Sequence, residues 1–259
     1  VTPVWRSYVA LGDSFTEGLQ DFDPDGRPRG WADLLAQHLA DRGSADVRYA
    51  NLAVRGRLLG PILAEQLDPA LALRPDLVSL VGGGNDLLRP DANPDALAGA
   101  LERAVVRLRE AGIDVLLGTG IDPADSPVIR LTRNRVAILD AHIFSIAQRH
   151  GAHVVNLWGM RSIRDWRMWH ADRIHLNTEG HERVAQAALV GLGLGADRPD
   201  WDEPLPAATP LTRREALDWN LAWGREHLGP WLGRRVRRTS SGADRAPKQP
   251  EYRVVCPVR

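Results

Sequence analysis

Short apolar runs alternate with longer amphipathic stretches over most of this chain. Residues 8–11, 47–50, 76–81, 113–117 and 153–157 each read as a buried strand, because they are brief, apolar and bounded by polar or glycine-containing turns. Between them apolar side chains return at helical spacing: Leu34, Leu35 and Leu39 within 31–40, a run over 58–73, then Leu97, Leu101, Val105 and Leu108. A long stretch from Pro127 to about His150 follows, and Val184, Ala188 and Leu189 mark a last helix after Thr178. Arg74-Pro75 stops the second helix, Asn93 caps the third with Pro94 at its first position, and Ala111-Gly112 ends it. Strand and helix in alternation predict an α/β fold in three α/β/α layers around a central five-stranded parallel sheet of flavodoxin-like character. Ligands of such a sheet sit beyond the carboxyl ends of its strands, which gathers Ser14, the loop 51–57 and Asn85 into one crevice.

Past residue 195 the pattern changes. Pro199, Pro204, Pro206 and Pro210 punctuate a linker, and Thr212 is placed to cap a helix carrying Ala216, Leu217, Trp219, Leu221 and Trp223 toward Leu228. Trp219 and Trp223 lie one helical turn apart and are expected to dock on the body. The arginine-rich run 233–238 and the Thr-Ser-Ser-Gly stretch behind it read as a basic, flexible tail. The expected organisation is a catalytic-scale α/β domain over 1–195, a linker and docking helix over 196–232, and a tail over 233–259.

Composition narrows the partners. At 259 residues and 44% hydrophobic content the chain buries a large core, and 33 basic against 33 acidic residues leave no global field for nucleic acid. Cys256 is alone, which rules out an intramolecular disulfide and a cysteine-based zinc site and fits a reducing compartment, here taken as the cytoplasm. The first residues show no secretory leader, although a mature form already stripped of one would look the same, and no window reaches the ~18 apolar residues of a membrane span.

The candidate chemistry starts at Gly12-Asp13-Ser14. A serine at a strand-to-turn junction, with Gly12 and Gly18 permitting a tight path, is a candidate nucleophile; taken alone, Asp13 and Ser14 are equally a helix cap. Asp172 and His175, three residues apart, can lie on one side of a turn, so that Asp172 holds one imidazole nitrogen while the other faces Ser14. Alone, that spacing is also a helix-start feature.

Four blocks in order give the chain its resemblance to the SGNH, or GDSL-type, hydrolases: Gly12-Asp13-Ser14, Asn51-Leu52-Ala53-Val54-Arg55-Gly56, Gly83-Gly84-Asn85-Asp86 and Asp172-Arg173-Ile174-His175. The resemblance spans about Ser7 to Leu192, and Phe15 replaces the leucine of the family shorthand. It implies the SGNH hydrolase fold and a serine esterase or lipase working through an acyl-serine, with Ser14, His175 and Asp172 as catalytic residues. It further implies an oxyanion hole of the Ser14 and Gly56 backbone N–H groups and the Asn85 side chain. A small-molecule ester of short to medium acyl chain is the expected substrate, with no metal, cofactor or nucleic acid. Removal of acetyl groups from a carbohydrate or metabolite, acyl transfer to an alcohol, and a non-catalytic binding module are the alternatives.

Other residues carry weaker expectations. Arg55, beside Gly56, and Trp169 are candidate substrate contacts, with Trp158, Trp166 and Met168 crowding the same approach. Asp13 and Asp86 are expected to order their loops, and His170 and His181 flank the catalytic pair.

Overall fold

The computed structural model describes residues 5–126, 129–207, 214, 221, 223–228, 242 and 244–258. The central strands are β1 (Ser7–Gly12), β2 (Val47–Asn51), β3 (Leu77–Val81), β4 (Asp114–Gly118) and β5 (His153–Val155), all parallel, and β6 (Gln249–Val255) completes the sheet in the order β5-β4-β3-β1-β2-β6. The helices are α1 (Ser14–Glu17), α2 (Trp31–Gly43), α3 (Leu59–Leu73), α4 (Gly84–Leu87), α5 (Pro94–Glu110), α6 (Arg133–His150) and α7 (Thr178–Gly191).

Alternation along β1 explains the layers. Tyr8 and Ala10 face Trp31 and Leu35 of α2 and Val184 and Ala188 of α7, whereas Val9 and Leu11 face Ile62 of α3, Val105 of α5 and Ile143 of α6. Both faces of the strand are therefore covered, which is why it reads as an unbroken apolar run. Among the described residues no helix is long and apolar enough to cross a membrane.

The sixth strand corrects the five-stranded expectation and the reading of 233–259 as tail throughout. Residues 249–255 pair antiparallel with β2, Val47 opposite Val255 and Arg48 opposite Val254, with a register shift between Tyr49 and Asn51. An edge strand needs little apolar surface: here Val255 enters one core layer and Tyr252 packs against the other. Two such residues make no visible pattern. Residues 233–241, with Thr212, Ala216, Leu217, Trp219 and Pro127, lie outside the described residues. The long helix starts at Arg133, after a single 3-10 turn over Arg130–Thr132, instead of near 127.

Candidate active site

β1 ends at Gly12, where a Cβ would sit 2.6 Å from both the Thr16 hydroxyl and the Val81 carbonyl oxygen, so only glycine lets the chain pass β3 and turn. Gln66 of α3 pairs with that glycine as a strand would: the Gly12 N–H donates to Oε1 at 2.8 Å and Nε2 donates to the Gly12 carbonyl at 2.9 Å. Asp13 then caps α1, accepting from the Phe15 N–H at 3.1 Å, and Ser14 is the first helical residue. The cap and the half-buried serine are thus one device.

From 161 residues further along the chain a small hairpin brings the imidazole. Trp169 bridges Leu176, the His170 N–H donates to the His175 carbonyl at 2.8 Å, and Arg173 at the tip adopts a left-handed φ of 56°. His175 Nε2 lies 3.1 Å from Ser14 Oγ and its Nδ1 lies 2.8 Å from Asp172 Oδ2. Asp172 Oδ1 accepts from the Ile174 and His175 backbone N–H groups at 2.9 and 3.0 Å. Burial opposes the charge of Asp172, but the His175 imidazole and these backbone donors outweigh it and hold the carboxyl well below the usual carboxylate range.

Asn85 joins the third loop to the other two. Its Nδ2 donates to Asp13 Oδ2 at 3.0 Å and to the Arg57 carbonyl at 3.1 Å, while Asp86 accepts from the Leu59 N–H at 3.0 Å and so closes the start of α3. Gly56 holds a left-handed φ of 73° in the loop after β2. Asp13 pays in desolvation for its position; burial pushes its carboxyl up to about 6, against the Phe15 N–H, the charge of His175 and the Asn85 amide. Beside Asp13, Phe15 and Asn85 opens a cavity of about 280 Å³ whose further wall is largely apolar, with Ile121, Leu139, Leu157, Trp166, Trp169 and Ile174 among its residues.

The model of the GDSL-like lipase/acylhydrolase family matches residues 10–183. The chain belongs to that family. TesA, whose crystal structure is 27% identical, superposes with a TM-score of 0.58 over 72% of this chain and 99% of its own. LAE5, an α/β hydrolase enzyme from the metagenome of Lake Arreo, is 24% identical with a TM-score of 0.61, covering 73% of this chain and 95% of its own. Axe2, an acetylxylan esterase from Geobacillus stearothermophilus, is 18% identical with a TM-score of 0.59, covering 74% and 97%. These last two share the fold. No curated protein sequence matches the chain.

Within this GDSL-type esterase the weaker expectations divide. Trp169 lines the cavity, its indole N–H donating to the Ile163 carbonyl at 2.8 Å and its ring 6.0 Å from that of Trp166. Arg55 does not line it: its backbone N–H and its guanidinium are both taken by the buried carboxylate of Glu17, which neutralises the charge. Met168 is buried as packing, and Trp158 lies beneath the Arg133 guanidinium at 5.4 Å while packing on a core layer. His170 sits 3.4 Å from Asp172, whereas His181 is 1% exposed beneath Phe15. Two further residues went unassigned in the sequence. Asn51 ties the second block to α1, donating to the Thr16 carbonyl at 2.9 Å and accepting from the Ala53 N–H at 3.1 Å, and Gln66 holds Gly12.

His181 gives this GDSL-type enzyme a predictable acid sensitivity. Its Nδ1 accepts from the Trp31 N–H at 3.3 Å, so Nε2 carries the hydrogen toward the Leu19 carbonyl at 3.4 Å, and burial pushes the imidazole down to about 4. The unfolded chain binds that proton near pH ~6.5, so the contribution of His181 to stability is lost as pH falls from there toward 4, amounting to about 3 kcal/mol. Asp13 and Asp140 are raised to about 6 and 7 by burial and act in the opposite sense. The expected observable is therefore a difference: between pH 7 and 4, wild type should lose stability relative to His181→Gln in chemical denaturation, and parallel curves would contradict the assignment.

Proposed function

We propose that this family member hydrolyses carboxylic esters of short to medium acyl chain through an acyl-serine formed on Ser14. The chain of contacts from Ser14 Oγ to His175 Nε2 and from Nδ1 to Asp172 carries the reading. His175 takes the hydroxyl proton as Ser14 attacks the ester carbonyl, and the imidazolium so formed is stabilised by the ionised Asp172. The tetrahedral intermediate collapses as His175 passes the proton to the leaving alkoxide. A water then attacks the acyl-serine with His175 again as base, releasing the acid and restoring Ser14.

The oxyanion is received by the Ser14 and Gly56 N–H groups and by Asn85. In the resting site both amide hydrogens of Asn85 are engaged, on Asp13 and on Arg57, so the oxyanion takes over one bond while the other keeps the amide aimed. Such a donor acts mainly in the transition state: Asn85→Ala should lower kcat about 10²–10³-fold with little change in KM. A rise in KM at constant kcat would reassign Asn85 to substrate binding.

The apolar cavity favours an acyl chain over a sugar. At about 280 Å³ it lies just under the usual range for small-molecule sites, about 300–1,000 Å³. The test is turnover of p-nitrophenyl esters from acetyl to palmitoyl beside Ser14→Ala on the same preparation. An initial burst with an optimum at medium length supports the reading. A sharp preference for acetate would favour deacetylation instead, and no turnover by folded protein would leave the site without this chemistry.

A further inference from the structure

Trp223 lies 40 residues beyond the span matched by the family model, which ends at 183, yet it reaches the hairpin that holds Asp172 and His175. Its indole Nε1 donates to the backbone carbonyl of Asp172 at 2.9 Å. The Arg173 guanidinium sits over the ring at 4.8 Å, and the ring borders the same cavity of about 280 Å³ that opens beside Asn85. The hydrogen bond satisfies the indole's one polar atom on the hairpin side, and the cation covers ring surface that would otherwise be free. What is left for the cavity is apolar ring, which lines it together with Leu139 and Ile143 of α6.

We propose that Trp223 is a specificity-determining, substrate-contacting residue: the segment after the α/β body supplies part of the acyl pocket's wall, anchored on the hairpin that carries the catalytic aspartate. The inference rests on the ester-hydrolase reading above. An acetyl group fills only a small part of the cavity, whereas an octanoyl chain has to lie along its apolar wall. Removal of the indole is then felt by the longer ester. The anchor and the wall are separable, because phenylalanine keeps an aromatic ring but lacks the N–H that reaches Asp172.

The test compares p-nitrophenyl acetate and octanoate with wild type, Trp223→Ala and Trp223→Phe. The ratio of the two kcat/KM values on one preparation is independent of how much of a variant is folded. For Trp223→Ala the octanoate-to-acetate ratio should fall about tenfold, equivalent to about 1.4 kcal/mol, with KM for octanoate carrying the change. For Trp223→Phe it should stay within about threefold of wild type. An unchanged octanoate-to-acetate ratio in Trp223→Ala would overturn the proposal, and where it comes with an equal loss on both esters the indole acts only through Asp172. Labelling of Ser14 by a fluorophosphonate separates the two levels. Labelled, ester-hydrolysing wild type with an unchanged Trp223→Ala ratio removes this inference alone, while unlabelled wild type without turnover removes the hydrolase reading and this one with it.

Discussion

Ser14→Ala should lower kcat for a medium-chain p-nitrophenyl ester by on the order of 10⁶-fold, and His175→Ala by a similar factor, while the double variant should be hardly worse than either. The non-additivity is the informative part. Ser14 Oγ and His175 Nε2 are 3.1 Å apart and act on one proton, so loss of either member leaves the other without a task. The backbone should be little disturbed by the serine change, because the cap of α1 is the Asp13 carboxylate on the Phe15 N–H, with no role for the serine hydroxyl. Asp172→Asn probes the third member differently. The amide keeps its size but presents an N–H where His175 Nδ1 needs an acceptor, favouring the wrong tautomer, for which a loss of about 10⁴-fold is expected. Additive losses in the Ser14/His175 pair would show that the two residues act in separate steps.

That site was legible because its chemistry is local in sequence even though its assembly is not. Gly12-Asp13-Ser14, Gly56, Asn85 and Asp172–His175 each sit in short blocks at strand ends or loops, and the parallel sheet places those ends together. The core strands were legible for the same reason, since burial on both faces leaves a continuous apolar run. What went unread depends on partners distant in the chain. Arg55 looked available beside Gly56, and only the fold shows Glu17, 38 residues away, holding it. Gln66 lies in an apolar helix with nothing to announce that it would complete the hydrogen bonds of Gly12, 54 residues earlier. For Trp223 the sequence predicts docking, which leaves open that what it docks on is the hairpin carrying Asp172 and His175. β6 is hard to read because only one residue packs on each core layer, Tyr252 and Val255, while Val254 is exposed, and that is below any periodic signal, although the lone lysine of the chain, Lys248, stands directly before it.

Lys248→Met should be among the most destabilising single changes in this protein, at about 3 kcal/mol, because it strips the closer and more buried of two cationic partners from a buried carboxylate. All three donors of the Lys248 ammonium are placed: on the Glu17 carbonyl at 2.6 Å, the Pro28 carbonyl at 2.9 Å and Asp33 Oδ2 at 2.6 Å. Asp33 in turn accepts from the Gly30 N–H at 3.2 Å at the start of α2, and Arg253 of β6 reaches its other oxygen at 3.3 Å. One side chain thereby ties the edge strand, the first turn of α2 and the last residue of α1. Burial already raises the Asp33 carboxyl, with Lys248 the largest force pulling it back. Without the lysine it rises further above its unfolded value, so the folded state gains by holding a proton; that contribution is present at low pH and lost as pH rises. The deficit of Lys248→Met should accordingly be largest at neutral pH and shrink toward pH ~4, and at about 2–4 °C per kcal/mol the neutral Tm should fall by about 6 °C or more. Lys248→Met/Asp33→Asn should recover part of the loss, because the amide removes a buried charge left with only the half-exposed Arg253 as its partner. A deficit that does not change with pH, or a double variant no better than the single one, would mean that the lysine acts through its two carbonyl bonds and that the charge on Asp33 is held by Arg253.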